Sequence, residues 1–276
     1  MKRIFGNILK IIRTSKNLSL KDVAGSGLSA AQLSRFERGL TTISVDSFYG
    51  CLRNLNMDLA EFQLLYSQMT DSPDASYPGI FSQIYTEQEE EGLRRLLSKE
   101  VDFLTEEPDN QYHHLNQIVL KIQLSDETVT DQEVSELSDY LFSVDEWGNY
   151  EVSLFVQALP VLSSQTIEVF GNELMNRTHL HRDIPESRRV LTQALSKLIV
   201  YYFDQDQLHY VFKYISFLES LNYSENEAYE RILVKYFKAL YAGRLGNQEA
   251  EKKRDFYLDV LTDLGCDKTV QYLKSS

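Results

Sequence analysis

The sequence predicts an all-α protein in two parts, a small N-terminal helix-turn-helix domain followed by an α-solenoid of tetratricopeptide-like antiparallel helix pairs. Three observations carry this reading. Apolar residues recur at three- and four-residue spacing along almost the whole chain, the signature of one buried helix face. Glycine and proline number only 12 and 5 among 276 residues, so helix interiors are seldom interrupted. The stretch Leu28–Gly39, LSAAQLSRFERG, reads as one short helix with its own start, its own stop and two faces.

The first helix is expected over Phe5 to Ser15, with Ile8, Leu9, Ile11 and Ile12 as its buried stripe. Ser19 is placed to cap a second helix carrying Leu20, Val23 and Ala24, and Gly25-Ser26-Gly27 supplies a turn. Ser29 then caps the third helix, and Gln32 at its third position completes a capping box. Leu28 and Leu33 fit a hydrophobic staple, and Gly39 stops the helix. Leu33 and Phe36 point inward, whereas Ala31, Gln32, Arg35 and Arg38 point outward. A fourth helix over Val45 to Leu55 turns Phe48, Leu52 and Leu55 inward, and Asp58 opens a fifth through Phe62 and Leu65. Helix, tight turn and helix within residues 19–39 match a helix-turn-helix.

This head occupies residues 1–69. The linker is placed at 70–79, where DSPDASYPG combines two prolines, a glycine and small polar residues. The second part runs over 80–276. Helices are expected near 80–104, 110–124, 130–144, 149–160, 163–177, 185–203, 206–221, 225–243 and 247–264, separated by turn signals such as Glu106-Glu107-Pro108-Asp109 and Gly243 to Asn247. Short loops between helices of this length imply stacked pairs. A 34-residue period is not clean, and a globular helical bundle is the alternative architecture.

Charge divides the chain the same way. Residues 1–67 carry nine Lys or Arg against five Asp or Glu, and the remainder carries 19 against 36. A basic head and an acidic body imply that only the head touches phosphate, and that repulsion of the body orients it. No long apolar run suggests a membrane span, and the basic N-terminus lacks the core and cleavage site of a signal peptide. Cys51 and Cys266 are far apart, with no CxxC spacing, which fits a reducing cytoplasm and neither zinc nor a disulfide framework.

Enzymatic chemistry is not indicated. The chain has no Walker sequence, no GxSxG and no dinucleotide fingerprint. Adjacent His113 and His114 point to different helix faces, and His179 and His181 fall at a loop. No metal, cofactor or catalytic residue is expected, and the Glu87–Glu91 run reads as a solvated helix face.

The reading face of the third helix suits a DNA major groove, which makes double-stranded promoter DNA the expected partner. Gln32 has two possible roles, bonding an adenine edge bidentately or folding back on Ser29; the expectation leans to the base. Arg35, one turn along, suits guanine or phosphate, and Ala31 offers only a methyl contact. Lys16, Lys21, Arg38 and Thr41 are candidate phosphate contacts, and Ser29 offers a backbone NH at a helix N-terminus.

The segments LS-x-x-QLSRFERG, TTISVDSF and LNMDLAEF resemble the Rgg family of Gram-positive transcriptional regulators. In the body, Trp147-Gly148-Asn149-Tyr150-Glu151 followed by Leu154-Phe155 is similar to that family's W-x-Y-E-x-LF segment. The resemblance implies a homodimer with an N-terminal DNA-binding domain and a C-terminal repeat domain that takes up a short hydrophobic signalling peptide, as in quorum sensing. It also implies that Arg13 of the first helix pairs with Glu37, an arginine that can face phosphate as well. Some members carry a cysteine near the start of the fourth helix that links two DNA-binding domains. That place here is Val45 or its neighbours, while Cys51 lies further along among apolar residues and is expected to be buried.

Tyrosine and phenylalanine clusters at 201–203, 210–217, 229 and 236–237 read mostly as core, with a minority left to line a groove. Asn172, Gln193, Arg231 and Lys235 are the candidates for binding a peptide backbone. The alternative is that the helical part docks a protein partner instead.

Overall fold

The computed structural model describes residues 2–69, 90–124, 126–179 and 182–274. The chain divides into a unit at Met1–Gly79 and a unit at Ile80–Ser276. The expected linker, and the residues from 80 to 89 in the next expected helix, lie outside the described residues. Among the described residues all regular structure is helical.

The head consists of α1 (Lys2–Ser15), α2 (Leu20–Ala24), α3 (Ala30–Glu37), α4 (Val45–Asn54) and α5 (Leu59–Met69). Helices of five to eight residues do not persist on propensity, so caps and packing hold them. Ser19 and Asp22 form one capping box and Ser29 and Gln32 another, and Ser44 accepts from the Ser47 NH at the start of α4. Gly25 and Gly39 take positive φ, 59° and 72°, where the chain leaves α2 and α3.

Ile8, Leu9, Val23, Leu33, Phe36, Cys51, Leu52, Leu55 and Phe62 form the head's core. Ile11, expected in the buried stripe of α1, is instead 45% exposed. The inward arc of α1 runs through Phe5, Ile8, Leu9 and Ile12, and Ile11 falls to one side of it. One contact sets the closeness of α1 to α3. A Cβ on Gly6 would lie 2.0 Å from the Phe36 carbonyl oxygen, so α1 presses directly on the backbone that ends α3.

The second unit contains α6 (Glu90–Glu106), α7 (Gln111–Gln123), α8 (Asp131–Ser143), α9 (Asn149–Ala158), α10 (Ser164–Asn176), α11 (Pro185–Asp204), α12 (Leu208–Ser220), α13 (Ala228–Arg244), α14 (Gln248–Asp263) and α15 (Asp267–Lys274). Each helix packs on its chain neighbour in the pairs α6–α7, α11–α12 and α13–α14, while α7, α9, α11 and α13 pack in succession. This is the stacked-pair arrangement of a tetratricopeptide-like array. The last helix, α15, had no counterpart among the expected ones; its inward residues are only Val270 and Leu273, too short an apolar repeat to stand out.

The W-x-Y-E segment is a joint in this array. Trp147 is fully buried, packs against Phe155 and Phe170 at 5.9 Å between ring centroids, and donates Nε1–H to the Leu141 carbonyl. Glu151 accepts from the Gly148 NH and from the Tyr140 hydroxyl, closing the start of α9. Further along, Arg188 of α11 grips Glu227 through Nε and Nη2 at 2.8 and 2.7 Å. Glu227 also accepts from the NH and hydroxyl of Ser224. Held by the guanidinium first and by these donors, its carboxyl sits at about 2, well below the usual carboxylate range.

Candidate functional site

Helix α3 presents Ala31, Gln32, Arg35 and Arg38 to solvent and buries Leu33, Phe36 and Glu37. Two features fix it. At its start, the Gln32 NH donates to Ser29 Oγ at 3.2 Å, and Gln32 Oε1 accepts from the Ser29 NH and hydroxyl at 3.0 and 2.9 Å. At its end, Glu37 accepts from Arg13 Nε and Nη2 at 2.7 and 2.8 Å, and Arg13 Nη1 donates to the Leu18 carbonyl. The pair is nearly dry, with side-chain exposures of 13% and 4%. The hydrogen bond to Glu37 raises the pKa of Arg13 further.

These bonds sort the expected DNA contacts. Arg35 stands exposed on the outer face, one turn beyond Gln32. Arg38 is exposed and rests on the Ser34 carbonyl, Lys21 is exposed, and Thr41 is half-buried. In the free protein Gln32 is folded back: its oxygen is occupied, and only the NH2 group is left for a base. The Ser29 NH is occupied by the same oxygen. Lys16 donates Nζ to the carbonyls of Leu55 and Asn56 at 2.6 and 3.3 Å, so it ties α1 to the end of α4. Arg13 faces inward as the partner of Glu37. Cys51 is buried, and burial followed by the charge of Glu37 pushes its thiol up to about 11. Val45, at the start of α4, is 70% exposed.

In the array, a cavity of about 540 Å³ opens beside α13, between the end of α12 and the start of α14. Arg231 and Lys235 line it together with Lys238 and Lys253. Gln193 is half-buried on α11 and is not among the lining residues. Asn172 is elsewhere too: on α10 it accepts from Lys213 of α12. The structure therefore brings together two of the four residues expected to bind a peptide. Lys238 belongs to the same i, i+4, i+7 face as Arg231 and Lys235 and was legible in the sequence. Lys253 joins them only because α14 folds back onto α13. Of the histidines, His113 bonds Glu100 and His114 bonds Glu136, each at 2.7 Å. Among the described residues no helix is long and apolar enough to cross a membrane.

Residues 98–275 match the family model described as "HTH-type transcriptional regulator Rgg, C-terminal domain", and residues 9–62 match a helix-turn-helix model. The fold is similar to that of the SHP pheromone receptor Rgg2 from Streptococcus dysgalactiae, with a TM-score of 0.78, 24% identity, and coverage of 98% of this chain and 97% of that one. A protein from Listeria monocytogenes matches with a TM-score of 0.84 at 17% identity over 100% of this chain and 96% of its own. PrgX, in complex with iCF10, matches with a TM-score of 0.73 at 16% identity, covering 100% of this chain and 95% of that one.

Proposed function

Because the chain belongs to the Rgg family of helix-turn-helix transcriptional regulators, we propose that it is a cytoplasmic homodimer that reads promoter DNA through α3 and is switched by a short hydrophobic peptide bound in its helical array. The observation that carries the DNA half is the exposed face of α3, clamped beneath by the buried Arg13–Glu37 pair. Two such helices, one per protomer, enter successive major grooves. Arg35 bonds guanine or phosphate, Gln32 offers its NH2 donors to a base acceptor, and Lys21, Arg38 and Thr41 hold the backbone.

The peptide half is supported by relatives of the same fold. Rgg2 of Streptococcus dysgalactiae is a pheromone receptor, and PrgX has been solved with iCF10 and with cCF10. The peptide acts by binding one arrangement of the dimer more tightly than another; equal affinity for both would shift nothing.

Arg35→Ala tests the first half. We expect operator affinity to fall by about tenfold or more while the dimer stays intact in sedimentation; unchanged affinity would remove α3 as the reader. Calorimetry with short hydrophobic peptides encoded beside the gene tests the second. Heat of binding is expected from at least one of them. Silence across the set would favour docking of a protein partner, for which exposed Phe212 and Phe256, at 57% and 60%, are part of the apolar surface.

A further inference from the structure

The cavity beside α13 has a chemical bias that the peptide-receptor reading leaves open. Arg231 and Lys235 stand one turn apart on α13, and Lys253 reaches the same cavity from α14. None of the three has an acidic partner among the described residues. Seven cations elsewhere in this acidic unit, Arg94, Lys121, Arg177, Arg188, Arg189, Arg244 and Arg254, each hold a carboxylate. A fourth lining cation, Lys238, is bonded to Glu219. Four cations thus meet two carboxylates in the lining, Glu219 and Glu249, which leaves an excess of two positive charges. That excess lies in a part of the chain with 19 basic against 36 acidic residues.

Beyond these charges the lining is mostly apolar, with Asn222 and Asn247 as its amides. Val234, Ala239 and Ala250 are buried, each 7% exposed, and Tyr257 lies beside them. The volume of about 540 Å³ falls in the range of small-ligand sites. An apolar floor under unpaired cations matches a group that is greasy and anionic together. We propose that this cavity anchors the peptide by a carboxylate, with an apolar side chain on Val234, Ala239 and Ala250 and the carboxylate between Arg231, Lys235 and Lys253. A C-terminal carboxylate and an Asp or Glu side chain share this chemistry. The inference rests on the peptide-receptor reading above.

The test uses the full-length protein and a randomised pool of apolar octapeptides made in two forms, free acid and C-terminal amide. Peptides retained with the protein through gel filtration are counted by mass spectrometry. A third pool carries the amide and one internal aspartate. Free acids are expected to be retained about tenfold or more over amides, the worth of one charge-assisted hydrogen bond. That preference should vanish in Arg231→Gln/Lys235→Gln/Lys253→Gln, three exposed positions whose change is checked by circular dichroism. Retention of aspartate-bearing amides over plain amides would assign the carboxylate to a side chain and also supports the proposal. Equal retention of acids and plain and aspartate-bearing amides overturns it while leaving the peptide reading standing. A preference that survives in the triple variant also overturns it, because the carboxylate is then held elsewhere. Retention of no peptide overturns the peptide reading itself.

Discussion

In the head, Arg13 and Glu37 join α1 to the end of α3 through bonds of 2.7 and 2.8 Å. In the array, Arg188 and Glu227 join α11 to the start of α13 through bonds of 2.8 and 2.7 Å. Both glutamates are buried, and both hold a helix whose outer face is the proposed ligand surface. They sit at opposite ends of those helices. Glu37 is the last residue of α3, where the helix dipole is negative and disfavours a carboxylate. Glu227 is the N-cap of α13, where the dipole favours one, and Ser224 adds two donors. The same pair is therefore a necessity in the head and a reinforcement in the array. A buried charge is expected to depend on its partner most where the backbone opposes it.

The strongest way to break this comparison is Arg13→Met. It strands Glu37 at the wrong end of a helix, and we expect a loss of about 3–5 kcal/mol in urea unfolding of the head. Hydrogen exchange should rise first in α1 and α3, and Glu37→Leu in the same chain should recover most of the loss. Arg188→Met should cost less, about 2–3 kcal/mol, because the dipole and Ser224 still serve Glu227; an equal or larger loss would refute the contrast.

Acid sharpens it further. The Glu227 carboxyl lies at about 2 in the folded chain, against an ordinary 4.5. A depressed pKa stabilises fully above the unfolded value and is lost as pH falls through the folded one. The array should therefore weaken between pH 4.5 and 2, and Arg188→Met should flatten that stretch of a melting-temperature profile. The smallest effect is expected from Ser29→Ala, about 1 kcal/mol for a lost N-cap. It also removes one of the two donors that hold the Gln32 oxygen, leaving only the backbone NH of residue 29, so a variant that gains preference for adenine in a binding selection would identify the cap as the limit on what Gln32 reads.

How far each region could be read from its sequence follows from the range of the forces involved. The caps at Ser19 and Ser29 act over three residues and were legible as spacing. The Arg13–Glu37 bond spans 24 positions, and only likeness to a known family pointed to it. Ile11 was misplaced because apolar spacing alone does not say which of two adjacent arcs meets the core. In the array, the segment around Trp147 was legible as a family likeness, but not as a joint in which Trp147 packs against Phe155 and Phe170. The cavity drew Arg231 and Lys235 from one helix, as their spacing allows, and Lys253 from the next, which no local rule connects. Asn172 had the right chemistry but is committed to Lys213, a contact made only when α10 and α12 are both in place.

The bonding of Lys16 to the Leu55 and Asn56 carbonyls has a consequence for ions rather than for shape. Each phosphate neutralised by a lysine or arginine frees about 0.9 of a counterion from DNA. Five basic residues of the head were candidates for that work, and Arg13 and Lys16 are bonded to the protein instead. Lys21, Arg35 and Arg38 remain in each protomer. A dimer bound through them alone would release about five ions, against about nine if all five took part. The head's positive charge is thus divided between holding its own helices together and displacing the ions around DNA, and the fewer ions it displaces, the less its hold on a promoter responds to the ionic strength of the cell.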